Sequence, residues 1–508
     1  MRARSTLVLT LLAARQWAPI ATGLLVFVAV TGACGLELTT TEDTAGQTSG
    51  DSAAPLVDSA PRPLDSAVDP EGGGDAGGEA GGDGGDSGVT ALVAQLASGL
   101  DRVCVVGGLG SLKCWGRNDQ GQLGLGDTNA RGDGPNEMGA LLPAVDVGPG
   151  VKVAQVALGG THTCAILGGG AVKCWGANGK GELGLGDVLP RGGLPGTMGA
   201  ALPTVQLGAG RTAKQLALGD KHSCAILDNG NVKCWGQNDQ GQLGLGDTRS
   251  RGIAAAEMGD ALPAINLGTG RTAKSIAAGT QHTCAILDND TLKCWGFSDA
   301  GQLGYGDRAK RGDKSGDMQA LPVVDLGLGR TARAIGAGVR HTCALLDDQT
   351  VKCWGNAYYG QCGTGDIEDR GDNGGEMGVA LKAIELGQNH KAKAIGVGYN
   401  YTCVVIDNDE LRCFGAGFDA QLGPLPGNRT SWGWGAGQMG DALPSIDLGA
   451  GAKVTAVAPG DTHTCALLGD QVKCFGKNAY GSLGQGDTTI RGKVAGEMGA
   501  ALLPVSFF

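Results

Sequence analysis

Fourteen of the 16 cysteines fall into seven pairs: Cys104 with Cys114, Cys164 with Cys174, Cys224 with Cys234, Cys284 with Cys294, Cys343 with Cys353, Cys403 with Cys413, and Cys465 with Cys474. Two chemistries use cysteines in this way, disulfide formation and metal ligation. Zinc sites favour short Cys-x-x-Cys spacing and bring four ligands together. Pairs ten apart, recurring every 60 residues or so, suit zinc poorly. Five of the six histidines, His162, His222, His282, His341 and His463, stand two positions before the first cysteine of a pair. They could form a ring of ligands or bases, or make one structural hydrogen bond per unit. Arg102 and Tyr401 fill the same slot in the other two units. A slot that accepts imidazole, guanidinium and phenol is read as structural.

The remaining candidates divide the same way. Seven of the eight methionines, Met138, Met198, Met258, Met318, Met377, Met439 and Met498, occupy one slot. Methionine fills irregular gaps, so this slot is read as anchoring a long loop in the core. The Asp that closes GLGD, as in Asp187 and Asp247, is expected to satisfy turn amides. Arg-Gly-Asp begins at Arg131, Arg311 and Arg370, but other units have Gly193, Ile253 or Lys493 third. An adhesion reading therefore yields to coincidence. Cys362 replaces a leucine of GQLG and is expected to be a buried free thiol. No Ser-His-Asp set, phosphate loop or isolated carboxylate pair stands out. The chain is read as not an enzyme, with no cofactor and no bound metal.

Hairpins must position these residues. In HTCAILGGGAVKCWG, CAIL is one strand and VKCWG its return, joined by three glycines. That loop sets Cys164 opposite Cys174. In the seventh unit the cysteines are nine apart, and a two-residue turn at Gly469-Asp470 again sets Cys465 opposite Cys474. The loop changes length and the pairing survives, as a cross-strand disulfide requires. Each bridge closes a loop of about ten residues, worth roughly 2.5–3 kcal/mol in the chain-entropy model.

Around each hairpin run GQLGLGD, a loop with RG and EMG, a segment like LPAINLG and another like TAKSIAAG. Repeats decide a fold before anything else, and four short strands per unit suit a propeller blade. The stretch GTQHTCAILDNDTLKCWGFSDAGQLGYGD, residues 279–307, resembles the repeat of the regulator of chromosome condensation family, in a bacterial, exported version. The motif is Gly-x-x-His before the first strand, Trp-Gly after the second, then Gly-Gln-Leu-Gly. The resemblance covers residues 91–508 and implies an all-β, seven-bladed β-propeller of about 60-residue repeats with one cross-strand disulfide per blade. The first unit lacks an LPxVxLG segment before it, and residues 502–508 supply one. The expectation is that this last strand completes the first blade and closes the ring.

The sixth unit breaks the pattern. It loses GLGD, puts Trp432-Gly433 in the RG slot, and adds Tyr399, Phe418 and Trp434 to a chain only 4% aromatic. The fifth adds Tyr358 and Tyr359. With Arg429 these make a candidate contact patch, since aromatics and arginine dominate interface hot spots. The candidate binding residues are Trp432, Trp434, Arg429, Phe418, Tyr358 and Tyr359. The resemblance implies nucleotide exchange on a small GTPase for nuclear members, and inhibition of an extracellular enzyme for a secreted one. The leading expectation is a monomeric binding scaffold for an unknown protein or glycan partner.

The N-terminus sets the compartment. Arg2, Arg4 and Arg15 precede an apolar run at residues 20–30, and Thr31-Gly32-Ala33-Cys34 resembles a bacterial lipobox. Residues 1–34 are thus read as a signal with Cys34 as the lipidated residue, the alternatives being simple cleavage and an uncleaved anchor. Residues 35–90 carry twelve acids and one arginine and almost no large apolar side chain. They read as a disordered acidic tether, with a reach of roughly 40 Å. Residues 91–508 are the propeller. Of the formal net charge of -11, residues 1–34 contribute +3 and 35–90 contribute -11, leaving the propeller near -3. That near-neutral body offers no electrostatic case for nucleic acid. The expected location is the cell envelope, with the protein lipid-anchored to a bacterial membrane.

Overall fold

The computed structural model describes residues 27–28 and 93–508. Cys34 and the tether, residues 35–90, lie outside the described residues, as does the N-terminal signal apart from Phe27–Val28. That pair runs antiparallel to Val93–Ser98, Phe27 facing Ser98 and Val28 facing Ala97.

Seven antiparallel sheets follow one another along the chain, each with an inner, a middle and an outer strand. In blade one these are Val93–Ser98, Arg102–Gly107 and Leu112–Gly116. In blade seven they are Ala456–Pro459, His463–Leu468 and Gln471–Gly476. Each inner strand neighbours the inner strand of the next blade, and that of blade seven neighbours that of blade one, so the ring is closed.

The middle strands read as continuous apolar runs because both of their faces are covered. Alternation along HTCAIL divides the side chains between two neighbours. Cys164, Ile166 and Cys174 pack with Leu216, Ala225 and Trp235 of blade three. Ala165, Leu167 and Trp175 pack with Cys104, Leu112 and Cys114 of blade one. The adjacent Cys and Trp of KCWG therefore face opposite ways, and each disulfide meets the next blade's indole or, at blades six and seven, the ring of Phe414 or Phe475. All seven expected disulfides are present. The nine-residue pair keeps Cys465 opposite Cys474, as the turn length predicts.

Two expectations are corrected. The LPxVxLG segment is not a fourth strand in full. It donates a single ladder bond, Val145 N to Leu112 O in blade one, and its proline has no N–H to give. The other end of the outer strand is met by the RG loop, through a bridge between Gly116 and Arg131. Nor do the last residues complete blade one. Val505 N donates to Val472 O of its own repeat. Ring closure instead comes from packing: Phe507 stacks on Trp115 with centroids 5.9 Å apart, and Gly139 N donates to Ser506 O.

Candidate interaction face

The histidine slot forms the joints between blades. His162 Nε2 lies 2.9 Å from Ser223 Oγ of the next blade, and His222, His282 and His341 lie 3.0, 3.0 and 3.1 Å from Thr283, Thr342 and Thr402. Each of those hydroxyls donates its one proton to a loop carbonyl of the histidine's own blade: Glu182, Gln242, Gln302 and Gln361. The imidazole must therefore be the donor, which places the hydrogen on Nε2 and leaves Nδ1 bare. Those Nδ1 atoms are buried without a partner. Trp235, Trp295 and Trp354 donate their indole N–H to the first three of these carbonyls.

The exceptions make the same joint by other means. Blade one has Val103 where other blades have Thr or Ser, and His463 reaches Ser98 instead, at 2.8 Å. Arg102 donates to the carbonyls of Gly159, Gly160 and His162. Tyr401 donates to His463 O at 2.6 Å. Burial drives the imidazoles of His222, His282, His341 and His463 down to about 3, and His162 well below its usual value. These are neutral structural groups, and the Gly of Gly-x-x-His makes room for them. A Cβ on Gly159 would lie 2.2 Å from the His162 ring.

The other repeated residues are occupied as well. Asp187 Oδ1 accepts from the Leu189 amide, the expected turn role. Its Oδ2 also takes Arg191 at 2.8 Å, a pair that recurs in five other blades. The arginines of the three Arg-Gly-Asp stretches are thus already paired. The Met198 methyl lies against Gly124 and Trp175 across a blade junction, as an anchor would. Lys173, whose role the sequence did not suggest, donates to Val147 O and Gly199 O and ties two blades together. Cys362 is fully buried, and burial pushes its thiol up. Among the described residues no His, Cys, Asp and Glu cluster has metal-binding geometry.

The exposed aromatic side chains are distributed unevenly. The turns from inner to middle strand share one face with the loops after the outer strands, since Arg117 N donates to Asp101 O. On that face Tyr358, Phe418, Trp434 and Tyr480 are 61, 54, 42 and 38% exposed. Among the described residues the one other aromatic as exposed is Phe508. Tyr358 meets Tyr359 edge-on at 4.9 Å, and Tyr359 meets Phe418 edge-on at 5.3 Å. The Trp434 backbone rests on Gly360. Arg117 of blade one stacks over Tyr480 of blade seven at 5.2 Å. The arc therefore runs over blades five to seven.

Trp432 does not line this patch. Ser431–Trp432 pairs with the outer strand of blade six, Trp432 opposite Gly415, and the indole is buried at 6% exposure with its N–H on Gln438 O. It supports the patch from beneath, with the exposed Arg429 over its ring at 5.6 Å. Tyr399 sits half-buried on an inner turn, its amide on Gly460 O. Tyr480 is a patch residue that the sequence reading missed. Its signal was its position, at the slot of Tyr359.

The model of the RCC1-like domain matches residues 111–495. The ultraviolet-B receptor UVR8 of Arabidopsis thaliana is 30% identical over 393 residues, covering 75% of this chain and 76% of that protein. The mitochondrial RCC1 domain-containing protein RUG3 of the same plant is 32% identical over 320 residues, covering 63 and 64%. In structure, yeast RCC1 (Prp20) bound to Kap60 superposes with a TM-score of 0.54 at 21% identity, covering 80% of this chain and 84% of that one. Human WBSCR16 gives 0.53 at 18%, covering 74 and 90%. These two likenesses establish the fold alone.

Proposed function

This chain belongs to the RCC1-like domain family, and we propose that it is an exported, envelope-tethered binding propeller. It grips a protein partner through the loop face of blades five to seven. The observation that carries this reading is the arc of Tyr358, Phe418, Trp434 and Tyr480, four of the five exposed aromatic side chains among the described residues, gathered on one face. Rigid aromatic side chains lose little entropy on contact and bury large areas.

Export is supported by the N-terminal signal pattern, with Cys34 as the proposed lipid attachment site. It is also supported by the disulfides, which form and persist in oxidising compartments. Seven of them argue against nucleotide exchange on a cytosolic GTPase. If the partner is itself a secreted enzyme, the same contact makes this protein its inhibitor.

The full-length chain, immobilised and exposed to envelope and culture-fluid proteins at moderate salt, is expected to retain a discrete partner. A Phe418→Ala/Trp434→Ala variant with an unchanged melting curve should lose it. Equal retention by both proteins would remove the binding role from this face.

A further inference from the structure

Beside the aromatic arc, where the loops of blades four and five meet, lies a cavity of about 500 Å³. Arg308 of blade four lines it, with Asn356, Tyr358, Glu368, Asp369 and Asp372 of blade five. Its positive charges are already engaged. Arg308 donates from Nε and Nη2 to Asp372 Oδ2 at 2.9 and 2.5 Å. Arg370 is paired with Asp366 at 2.7 Å. The negative charges are not all met. The Glu368 side chain is exposed and, among the described residues, makes no hydrogen bond or ion pair. Asp369 accepts only from the Asn356 amide at 3.1 Å and the Ala357 N–H at 3.0 Å. Burial, and after it the neighbouring Asp372, raise its carboxyl.

A second, independent observation points to a ligand. Asp372 is 6% exposed, and its Oδ1 is buried with no donor. A buried carboxylate oxygen without a partner is costly. The corresponding position elsewhere avoids that cost or lacks the setting. Gly193, Ile253 and Lys493 carry no carboxylate there. Asp313 has the same orphaned Oδ1, with Lys310 3.4 Å from its Oδ2, but Asp299, not an aromatic, stands at the slot of Tyr358. Asp133 has Asp119, not an aromatic, at the slot of Tyr358. Only blade five combines the under-compensated carboxylates with an exposed ring at the rim.

We infer that this cavity receives a cationic side chain, guanidinium or ammonium, carried by the partner that the adjoining arc binds; the inference rests on the binding-face reading above. A guanidinium there donates to Glu368 and Asp369 in a planar fork and stacks on Tyr358. A neutral sugar would leave the carboxylates uncompensated.

The test titrates the full-length chain calorimetrically, at low ionic strength, with L-arginine amide, its neutral isostere citrulline amide, and a neutral chitin trimer. Arginine amide is expected to bind about tenfold tighter than citrulline amide, an advantage that shrinks as salt screens it. Glu368→Gln, at an exposed position that leaves folding untouched, should remove most of that advantage, and Asp369→Asn the rest. Phe418→Ala should leave it unchanged. Equal binding of the two amides, no binding of either, or a preference for the chitin trimer overturns the inference. Partner capture that depends on Trp434 without any arginine preference sinks the cation receptor alone. Arginine preference with capture indifferent to Trp434 sinks the binding face alone.

Discussion

Acidification from pH 7.5 to 5.5 should loosen the ring at its joints. Four imidazoles, those of His222, His282, His341 and His463, are held at about 3, against 6.5 in an unfolded chain. Burial in the blade junctions is the cause, so the folded state binds these protons poorly. For a pKa depressed on folding, stability is complete above the unfolded value and falls as pH drops below it. At pH 5.5, one unit below 6.5, each histidine costs about 1.4 kcal/mol. Four together cost about 6 kcal/mol, and His162 acts in the same direction. Burial has the opposite effect on Asp220 and Asp461, whose carboxyls it raises to about 6 and about 7. Their protonation over the same interval returns roughly 3 kcal/mol. The net expectation is a loss of about 3 kcal/mol, read as a lower guanidinium midpoint at pH 5.5 than at 7.5 with the disulfides intact. His282→Gln keeps an N–H for Thr342 but does not titrate, so it should reduce that pH dependence by about 1.4 kcal/mol. A midpoint that holds or rises on acidification, or a His282→Gln variant with the native pH dependence, would refute the joint as described.

Three further outcomes are expected. Gly159→Ala should destabilise the protein by more than about 2 kcal/mol, because its methyl would lie 2.2 Å from the His162 ring; a melting curve superimposable on the native one contradicts this. Phe507→Ala should cost about 3 kcal/mol, since the ring is 6% exposed and stacks on Trp115 at the junction of blades seven and one. Chemical denaturation measures it, and a loss below about 1 kcal/mol would mean that the ring is closed by other contacts. Cys362 should resist a thiol reagent in the native protein and react once the chain is unfolded, because burial raises its thiol; mass spectrometry before and after denaturant reads the difference.

Much of the architecture is legible in the chain because its determinants are local. A hairpin closes within ten residues, so Cys164 and Cys174, or Cys465 and Cys474, can be paired from turn length alone. Counting such hairpins counts the blades. The adjacent Cys and Trp of KCWG also announce a strand covered on both faces. Where the decisive partner lies one repeat away, the chain is silent. The slot of His162 reads as structural from its tolerance of Arg and Tyr, yet its bond to Ser223 crosses to the next blade. Residues 502–508 match a segment missing before blade one, and that likeness suggests the wrong edge. Both edges offer apolar surface, and only the ladder bond from Val505 to Val472 decides between them.

By itself the sequence determined seven disulfide-stapled hairpins, since strand alternation, turn length and repeat period act over tens of residues or fewer, and their closure into a ring was implied by the family resemblance. The tertiary structure decided which aromatics the solvent sees. Trp432 and Trp434 are two residues apart, yet pairing with Gly415 buries the first and leaves the second exposed. It also brought Arg308 to Asp372 across 64 positions and made a cavity there. Burial and charge compensation depend on the side chains that surround a group in space, and in a closed ring most of those belong to another blade.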